Sequence, residues 1–383
     1  MSIDLDQAEV AFAASTDATV GIEEEYAVLD SATLELVPRF EELRDAGQED
    51  DVLRDSIAGE LISSEIEIRS GRGNDIHEAI GLQREARARL FALAAARGVA
   101  LGATGTHPWA DYREQLNIDT DHYRRVVDGL QYVARRNNTF ALHVHVGVNG
   151  ADRAVRTCDR LRPVLPLLLA VGANSPFLED RNSGLHSVRS QIFTKSFPRC
   201  GVPDAYGSWA EYREYLEVLI ATNSIIESTQ VWWSVRPHLA FGTVEVRMSD
   251  AQATAQESEA LAALTVACVL QAARDEAEGV PFTDPSRRMI EENMWRATRF
   301  GMDGKLIDLE RVTEVSAAAE LERILNWTAP VRAEQRIEPA FPELNGAQRQ
   351  RAAADAGEDL RTIYARVVDE TRRTYAPSEV PAP

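Results

Sequence analysis

Four short stretches of the chain alternate apolar and polar positions with a period of two, as half-buried strands do. In Thr19–Leu29, Val20, Ile22, Tyr26 and Val28 share one face, and Gly21, Glu23 and Glu25 share the other. In the stretch ending at Ile68, Ile62, Ile66 and Ile68 oppose Glu65 and Glu67. In Leu142–Val148 the apolar positions alternate with His143, His145 and Gly147, and in Thr243–Ser249 Val244, Val246 and Met248 alternate with Thr243, Glu245, Arg247 and Ser249. Helical patterns separate these strands. Asp75-Ile-His-Glu78, Ser208-Trp-Ala-Glu211 and Thr254-Ala-Gln-Glu257 each read as a capping box opening a helix; the first helix is expected to end near Gly98 and the last near Gly279. Pro163 begins an apolar helix that stops around Gly172, and a final helix is expected from about Ala347 to Tyr375.

The polar faces carry the functional signal. An ordinary solvent-facing strand mixes Thr, Lys and Gln, whereas here the faces hold Glu-Glu, Glu-Glu, His-His and Glu-Arg. An antiparallel sheet with helices on its apolar face fits the pattern, and contiguous polar faces would form a wall of carboxylates and imidazoles. Like charges on neighbouring strands are destabilising unless something neutralises them. A divalent cation, Mg²⁺ or Mn²⁺, suits oxygen ligands with one imidazole. Two positions break the pattern. Glu24 falls on the apolar face and needs an edge position or an arginine partner. Glu60 lies seven residues before Glu67, so the two converge only if Glu60 sits on a loop or bulge before the strand. Glu65 is expected in an ion pair.

Composition narrows the chemistry further. The chain has 383 residues and a formal charge of −20, which argues against nucleic acid or an anionic membrane as partner. Its hydrophobic and charged fractions, 44% and 27%, are those of a globular protein. Only Lys195 and Lys305 are lysines among 41 basic residues, and no P-loop motif occurs, so arginine and metal must serve any phosphate. Cys158, Cys200 and Cys268 are widely spaced with no metal-like spacing, and Cys158 and Cys200, lacking good basic companions, read as inert. The N-terminal segment lacks the pattern of a signal peptide, and a cytoplasmic protein is expected. The expected organisation is a flexible N-terminus (1–18), a single catalytic domain (19–375) and a flexible Pro-rich tail (376–383).

Read in order, GIEEEY (21–26), GELISSEIEIRSG (59–71), GTHPWA (105–110), LHVHVGV (142–148), SVRSQIF (187–193), PRCGVP (198–203), WWSVRPH (232–238), GTVEVRMSD (242–250) and ENMWRATRFGMDG (292–304) resemble the type 2 glutamate–cysteine ligases, also called the carboxylate–amine ligase family. The resemblance covers roughly residues 18 to 375. It implies an α+β fold, a glutamine-synthetase-like catalytic domain whose curved antiparallel sheet has helices on its convex face. It also implies ATP- and Mg²⁺-dependent (or Mn²⁺-dependent) joining of a carboxylate to an amine through an acyl phosphate, with γ-glutamylcysteine from glutamate and cysteine as the expected product. Phosphoryl transfer needs positioning and charge neutralisation more than covalent help from protein, which agrees with the residues present.

Carried over residue by residue, the resemblance implies that Glu23, Glu25, Glu60, Glu67, His143 and Glu245 are metal ligands. It implies that His145 faces nucleotide or phosphate and that Arg247 points at the transferred phosphate. Arg236 and Arg189 are expected to clamp phosphate or substrate carboxylate, with Arg296 and Arg299 as weaker candidates. Trp232 and Trp233 read as packing residues and His107 as a turn histidine. Substrate loops are expected around 70–75, 105–125 and 180–205, and a homodimer is the default assembly. Two other functions share these residues: a phosphotransferase on the same fold, and a nucleotide- or metal-binding protein whose ligase activity has decayed.

Overall fold

The computed structural model describes residues 3–376. The four alternating stretches all form strands, and they are consecutive neighbours in one sheet. Its strands are β1 (Val20–Asp30), β2 (Ile57–Ala58), β3 (Glu65–Arg69), β4 (Val99–Gly102), β5 (Ala141–Gly147), β6 (Val235–His238) and β7 (Thr243–Asp250). The order is β6-β7-β5-β1-β3-β2, with β4 pairing the last residues of β1, and every pairing is antiparallel. The register sets Glu25 opposite Glu67, Glu23 between His143 and Arg69, and Glu245 between His145 and Arg236.

The helices that matter below are α1 (Leu5–Ala14), α2 (Ile76–Ala96), α3 (Asp121–Leu130), α4 (Ala151–Leu161), α5 (Leu165–Val171), α6 (Val188–Ser196), α7 (Trp209–Ala221), α8 (Ala255–Ala277), α9 (Arg287–Phe300), α10 (Gly346–Asp355) and α11 (Leu360–Tyr375). The predicted starts hold. Asp75, Ser208 and Thr254 accept from the backbone N–H of Glu78, Glu211 and Glu257 at 2.8, 3.2 and 3.2 Å. The apolar strand face is covered by helices. Val20, Ile22, Val144, Val146, Val244 and Val246 pack in one cluster with α4, α5 and α8, while Tyr26, Val28, Ile66 and Ile68 pack with Leu90 and Phe91 of α2. Each such side chain contributes about 1.5–3 kcal/mol on leaving water, and this layer holds the sheet rigid behind its polar face. None of the described helices is long and apolar enough to cross a membrane.

Three expectations change. Residues 3–18 are not a loose end: Asp4 caps α1, and Leu5, Ala8 and Phe12 bury their side chains in the main cluster, with Phe12 against Trp209 of α7 at 5.8 Å between ring centroids. The alanine-rich face of α1 hides this three-residue anchor from a periodicity reading. The final helix is two helices, because Gly357 turns into the left-handed region (φ +91°) and Asp359 caps a new start. Ile62 is not in a strand; β3 begins at Glu65, and Ile62 only bridges Asn117. Tail residues 377–383 lie outside the described residues.

Glu24, the acid on the wrong face, has the arginine partner that its position demands. Arg87 of α2 donates to it at 3.0 Å, Tyr26 Oη at 2.7 Å and Gln83 at 2.8 Å, and the side chains of Arg87 and Glu24 are 1% and 4% exposed. Removing one partner from a buried pair leaves an uncompensated charge. Arg87→Met is therefore expected to destabilise the fold by about 3–5 kcal/mol, read from urea unfolding, whereas replacing both partners together should cost less than Arg87→Met alone.

Candidate functional site

The polar face of β3, β1, β5, β7 and β6 lines a cavity of about 360 Å³ that gathers six glutamates and four arginines. Within it, two groups bring one ligand atom per residue to within 4.8 Å of one another: Glu23, Glu67 and His143, and Glu25, Glu60 and Glu67. Glu67 belongs to both, as expected of an acid on the central strand pair. Glu60 reaches its group from the loop between β2 and β3, the only placement that its spacing from Glu67 allows. His143 approaches Glu23 through Nδ1 at 3.2 Å, and its buried Nε2 has no hydrogen-bond partner, lying 3.8 Å from Glu25. Three carboxylates in one group, and two carboxylates with an imidazole in the other, fit a hard divalent cation such as Mg²⁺ or Mn²⁺. Arg69, which the sequence reading passed over, closes the outer side by pairing with Glu67 and, at 3.5 Å, Glu23.

Electrostatics support this fit. Burial pushes the carboxyls of Glu25, Glu60, Glu65 and Glu67 up from the ordinary range, and their mutual repulsion adds to the rise at Glu60, Glu65 and Glu67. Burial acts against ionised Glu23 too, but His145 and His143 overcome it and hold that carboxyl well below the usual range. His145 rises against its burial because Glu23 and Glu245 attract its proton, while burial pulls His143 down. A site that suppresses the ionisation of its own acids favours any cation that replaces their protons. Glu65 differs from expectation. It is 1% exposed and, among the described residues, forms no ion pair; Glu25 and Glu60 repel its charge, and its Oε2 has no hydrogen-bond partner. Period two had placed it on the right face, beside Glu67.

The arginines divide by what already engages them. Arg236 lines the cavity but is engaged by protein groups. Its Nε donates to Glu245 at 2.7 Å and its Nη2 at 3.3 Å, while Nη1 reaches the carbonyls of Thr229 and Val231. Glu245 is correspondingly held well below the carboxylate range, against its burial, by Arg236, His145 and Arg247, and it stands outside both ligand groups. The structure thus assigns Arg236 and Glu245 first to each other. Arg189, on α6, donates Nη1 to the Met248 carbonyl at 3.0 Å and Nη2 to the Arg247 carbonyl at 3.4 Å. Those carbonyls lie in a bulge: the β7–β5 register slips by one residue between Val246 and Ser249. Bulges re-aim side chains. Arg247, at this one, has buried Nε and Nη1 groups without hydrogen-bond partners, Nε lying 3.5 Å from Glu245. Arg247 is therefore the least engaged of the three, while Arg189 ties two carbonyls of the bulge and keeps only its Nε unpartnered.

Opposite the sheet, Tyr123 and His122 of α3 and Trp232 line the same cavity, Tyr123 donating to the Gly59 carbonyl beside Glu60. Sequence periodicity carries no signal for these three, because they come from a polar helix and a strand of only two residues, Trp232–Trp233. Trp233 is buried in the core, as expected. Arg296 pairs with Glu292 and Glu314, and Arg299 donates to the Gly184 carbonyl; both sit on α9, and neither lines the cavity. His107 is a buried turn residue whose Nε2 meets the Leu34 carbonyl, and burial pulls it down to about 4. The three cysteines are buried and unpaired, and burial raises their thiols, that of Cys200 to about 11.

Residues 19–367 match the model of glutamate–cysteine ligase family 2. A Solibacter usitatus protein provisionally named glutamate–cysteine ligase 2 is 38% identical over 92% of this chain and 93% of its own length. A Rubrobacter xylanophilus protein, provisionally named glutamate–cysteine ligase 2-1, is 34% identical over 94% and 96%. Among solved structures, glutamate–cysteine ligase from Francisella tularensis in complex with AMP superposes with a TM-score of 0.68 at 13% identity, over 96% of this chain and 91% of that one. A bifunctional glutathione synthetase from Pasteurella multocida gives 0.63 at 13%, over 97% and 54%. At such identity the two structures show a shared fold.

A cation that binds only the folded site stabilises it by mass action, by about 2.7 kcal/mol at a hundredfold excess over Kd. Millimolar Mn²⁺ or Mg²⁺ is expected to raise the unfolding temperature of the wild type. Glu67→Gln, which touches both ligand groups, should abolish that rise, as measured by scanning calorimetry with and without chelator.

Proposed function

The chain belongs to glutamate–cysteine ligase family 2, and from that membership and the acidic face we propose that it is an ATP-dependent carboxylate–amine ligase that joins glutamate to cysteine. One observation carries the chemistry: two carboxylate groups sharing Glu67 lie in the same cavity as an arginine with unpartnered N–H groups. An acid must be activated before an amine can displace oxygen from it, and phosphorylation by ATP does this. Divalent cations held by Glu23, Glu67 and His143, and by Glu25, Glu60 and Glu67, would supply the neutralising charge that lets a triphosphate approach a carboxylate.

The remaining work falls to side chains. Arg247, released by its bulge, meets charge developing on the transferred phosphoryl group and stabilises it in a site with little competing water. Arg189 fixes the bulge carbonyls and so the direction of Arg247. Arg236 keeps Glu245 ionised and immobile behind His145. Tyr123 and Trp232 narrow the approach from the opposite side, where an amino-acid pair has to sit. Glutamate and cysteine in particular rest on the family and on the names of the relatives; the arginine chemistry fits a substrate carboxylate of any origin.

Purified protein incubated with Mg–ATP and pairs of amino acids should release ADP fastest with glutamate and cysteine, giving a product of the mass of γ-glutamylcysteine. ADP release without any amine, with a stable phosphorylated product, would make it a phosphotransferase. No ADP from any pair would overturn the ligase reading. Arg247→Met is expected to lower kcat by about 10²–10³ with circular dichroism unchanged, as loss of one donor to developing charge does. Arg189→Met should give a smaller loss of the same kind.

A further inference from the structure

The helix side of the sheet carries a larger cavity, of about 1000 Å³, between α2 and α8. Its walls are small and aliphatic: Ile76, Ile80 and Ala88 on α2, Ala260 and Ala263 on α8, and Ile337 on a segment laid across them. That segment is pinned at both ends. His77 Nε2 meets the Gln335 carbonyl at 2.9 Å, and Gln256 donates to the Ala340 carbonyl at 3.1 Å. Among the described lining residues the one large aromatic ring is that of Tyr375, and it is already engaged, with the Arg87 guanidinium over it at 4.6 Å. Aliphatic walls between two helices suit an aliphatic chain, which gains by leaving water there.

The charges around this cavity do not balance. Each acid on its wall already has a cation: Glu85 has Arg89 at 2.7 Å, Glu259 has Arg84 and Arg87 at 2.6 and 2.8 Å, and Glu338 has Arg332 at 3.5 Å. Arg87 also holds Glu24, and only its Nε lacks a hydrogen-bond partner. Among the described residues, Arg336 is the one lining arginine with no carboxylate within ion-pair distance. Its backbone makes it an unusual choice there. Arg336 follows the helix Ala329–Gln335 in the left-handed region, at φ +56° and ψ +39°, where glycine is the usual residue and a long side chain adds strain. An exposed, unmatched guanidinium at the edge of an apolar slot calls for a single negative charge on an apolar body. A second negative charge would meet Glu259 and Glu338 with no partner of its own.

We propose that the cavity between α2 and α8 binds an aliphatic monocarboxylate, its carboxylate on Arg336 and its chain along Ile80, Ala88, Ala260 and Ala263. The ligand is neither substrate nor nucleotide, because the site lies across the sheet from the acidic face and shares no lining residue with the cavity there. The Arg87–Glu24 pair, at 3.0 Å, stands between the two. Binding at this site is independent of the ligase reading.

Calorimetric titration of the full-length protein, without ATP or amino acids, separates the two ends of the ligand. The probes are octanoate, acetate, which lacks the chain, and octan-1-ol, which lacks the charge. Octanoate should bind at one equivalent and at least tenfold more tightly than either of the others. Arg336→Gly should weaken octanoate at least tenfold and leave octan-1-ol within twofold. The same variant should keep the unfolding temperature of the empty protein, since glycine suits the left-handed backbone. Octan-1-ol binding as tightly as octanoate, or octanoate affinity unchanged in Arg336→Gly, overturns the proposal. So does an absence of octanoate binding, as when another part of the chain or a second copy fills the cavity. With neither ATP nor amino acids present, each of these outcomes leaves the ligase reading where it stood.

Discussion

The structure depends on holding glutamates against one another out of water. Glu25 pairs directly across from Glu67, Glu65 is buried beside them on the same strand, and Glu60 is brought in from a loop to join them. Left ionised, such a set would drive the strands apart. Without cations, burial and repulsion raise most of these carboxyls, and protons relieve part of the strain; Arg69 on one flank relieves more. What keeps the acids together is the opposite face, where valine and isoleucine from the same strands are sealed under helices. Apolar packing on one side thus maintains an unfavourable charge density on the other, and that density is what a divalent cation exploits.

The same contrast explains why Glu24 is not part of the site although it stands between two residues that are. One residue of strand turns the side chain over, into the apolar layer, where Arg87 and hydrogen bonds from Tyr26 and Gln83 satisfy it. Glu23, Glu24 and Glu25 are one run in sequence and two environments in space. The first and third meet histidines and other acids, while the second ties β1 to α2.

Much of this was legible in the sequence because strand parity is a local property. The faces of β1, β3, β5 and β7, the anomaly at Glu24 and the loop position required of Glu60 all follow from counting by twos. Parity fails where the partner strand matters. The bulge between Val246 and Ser249 is a property of the β7–β5 pair, so the sequence of β7 alone could not show that Arg247 is re-aimed or that Arg189 serves the bulge carbonyls. The pairing of Arg236 with Glu245 was available from neither strand alone, since β6 alternates too briefly to fix a register. α1 was missed for another reason: three buried side chains in an alanine-rich decapeptide make a weak pattern, and only the groove that receives them makes them an anchor.

Charge balance gives three of the four cavity arginines different tasks. If Arg189, Arg236 and Arg247 all pointed freely at the ligand space, they would compete with cations for the same glutamates and weaken the site they serve. Two are instead tied down, Arg236 by Glu245 and Arg189 by backbone carbonyls, and neither tie involves Glu23, Glu25, Glu60 or Glu67. Arg247 keeps two buried nitrogens, Nε and Nη1, without hydrogen-bond partners, against Nε alone on Arg189, and burial together with nearby Arg236 already disfavours the Arg247 charge. An anion arriving beside it relieves that penalty, so the arginine contributes most when the phosphoryl group or carboxylate is in place and least when the cavity is empty. A guanidinium held in this way discriminates between those two states, which is what a group-transfer site requires of its positive charge.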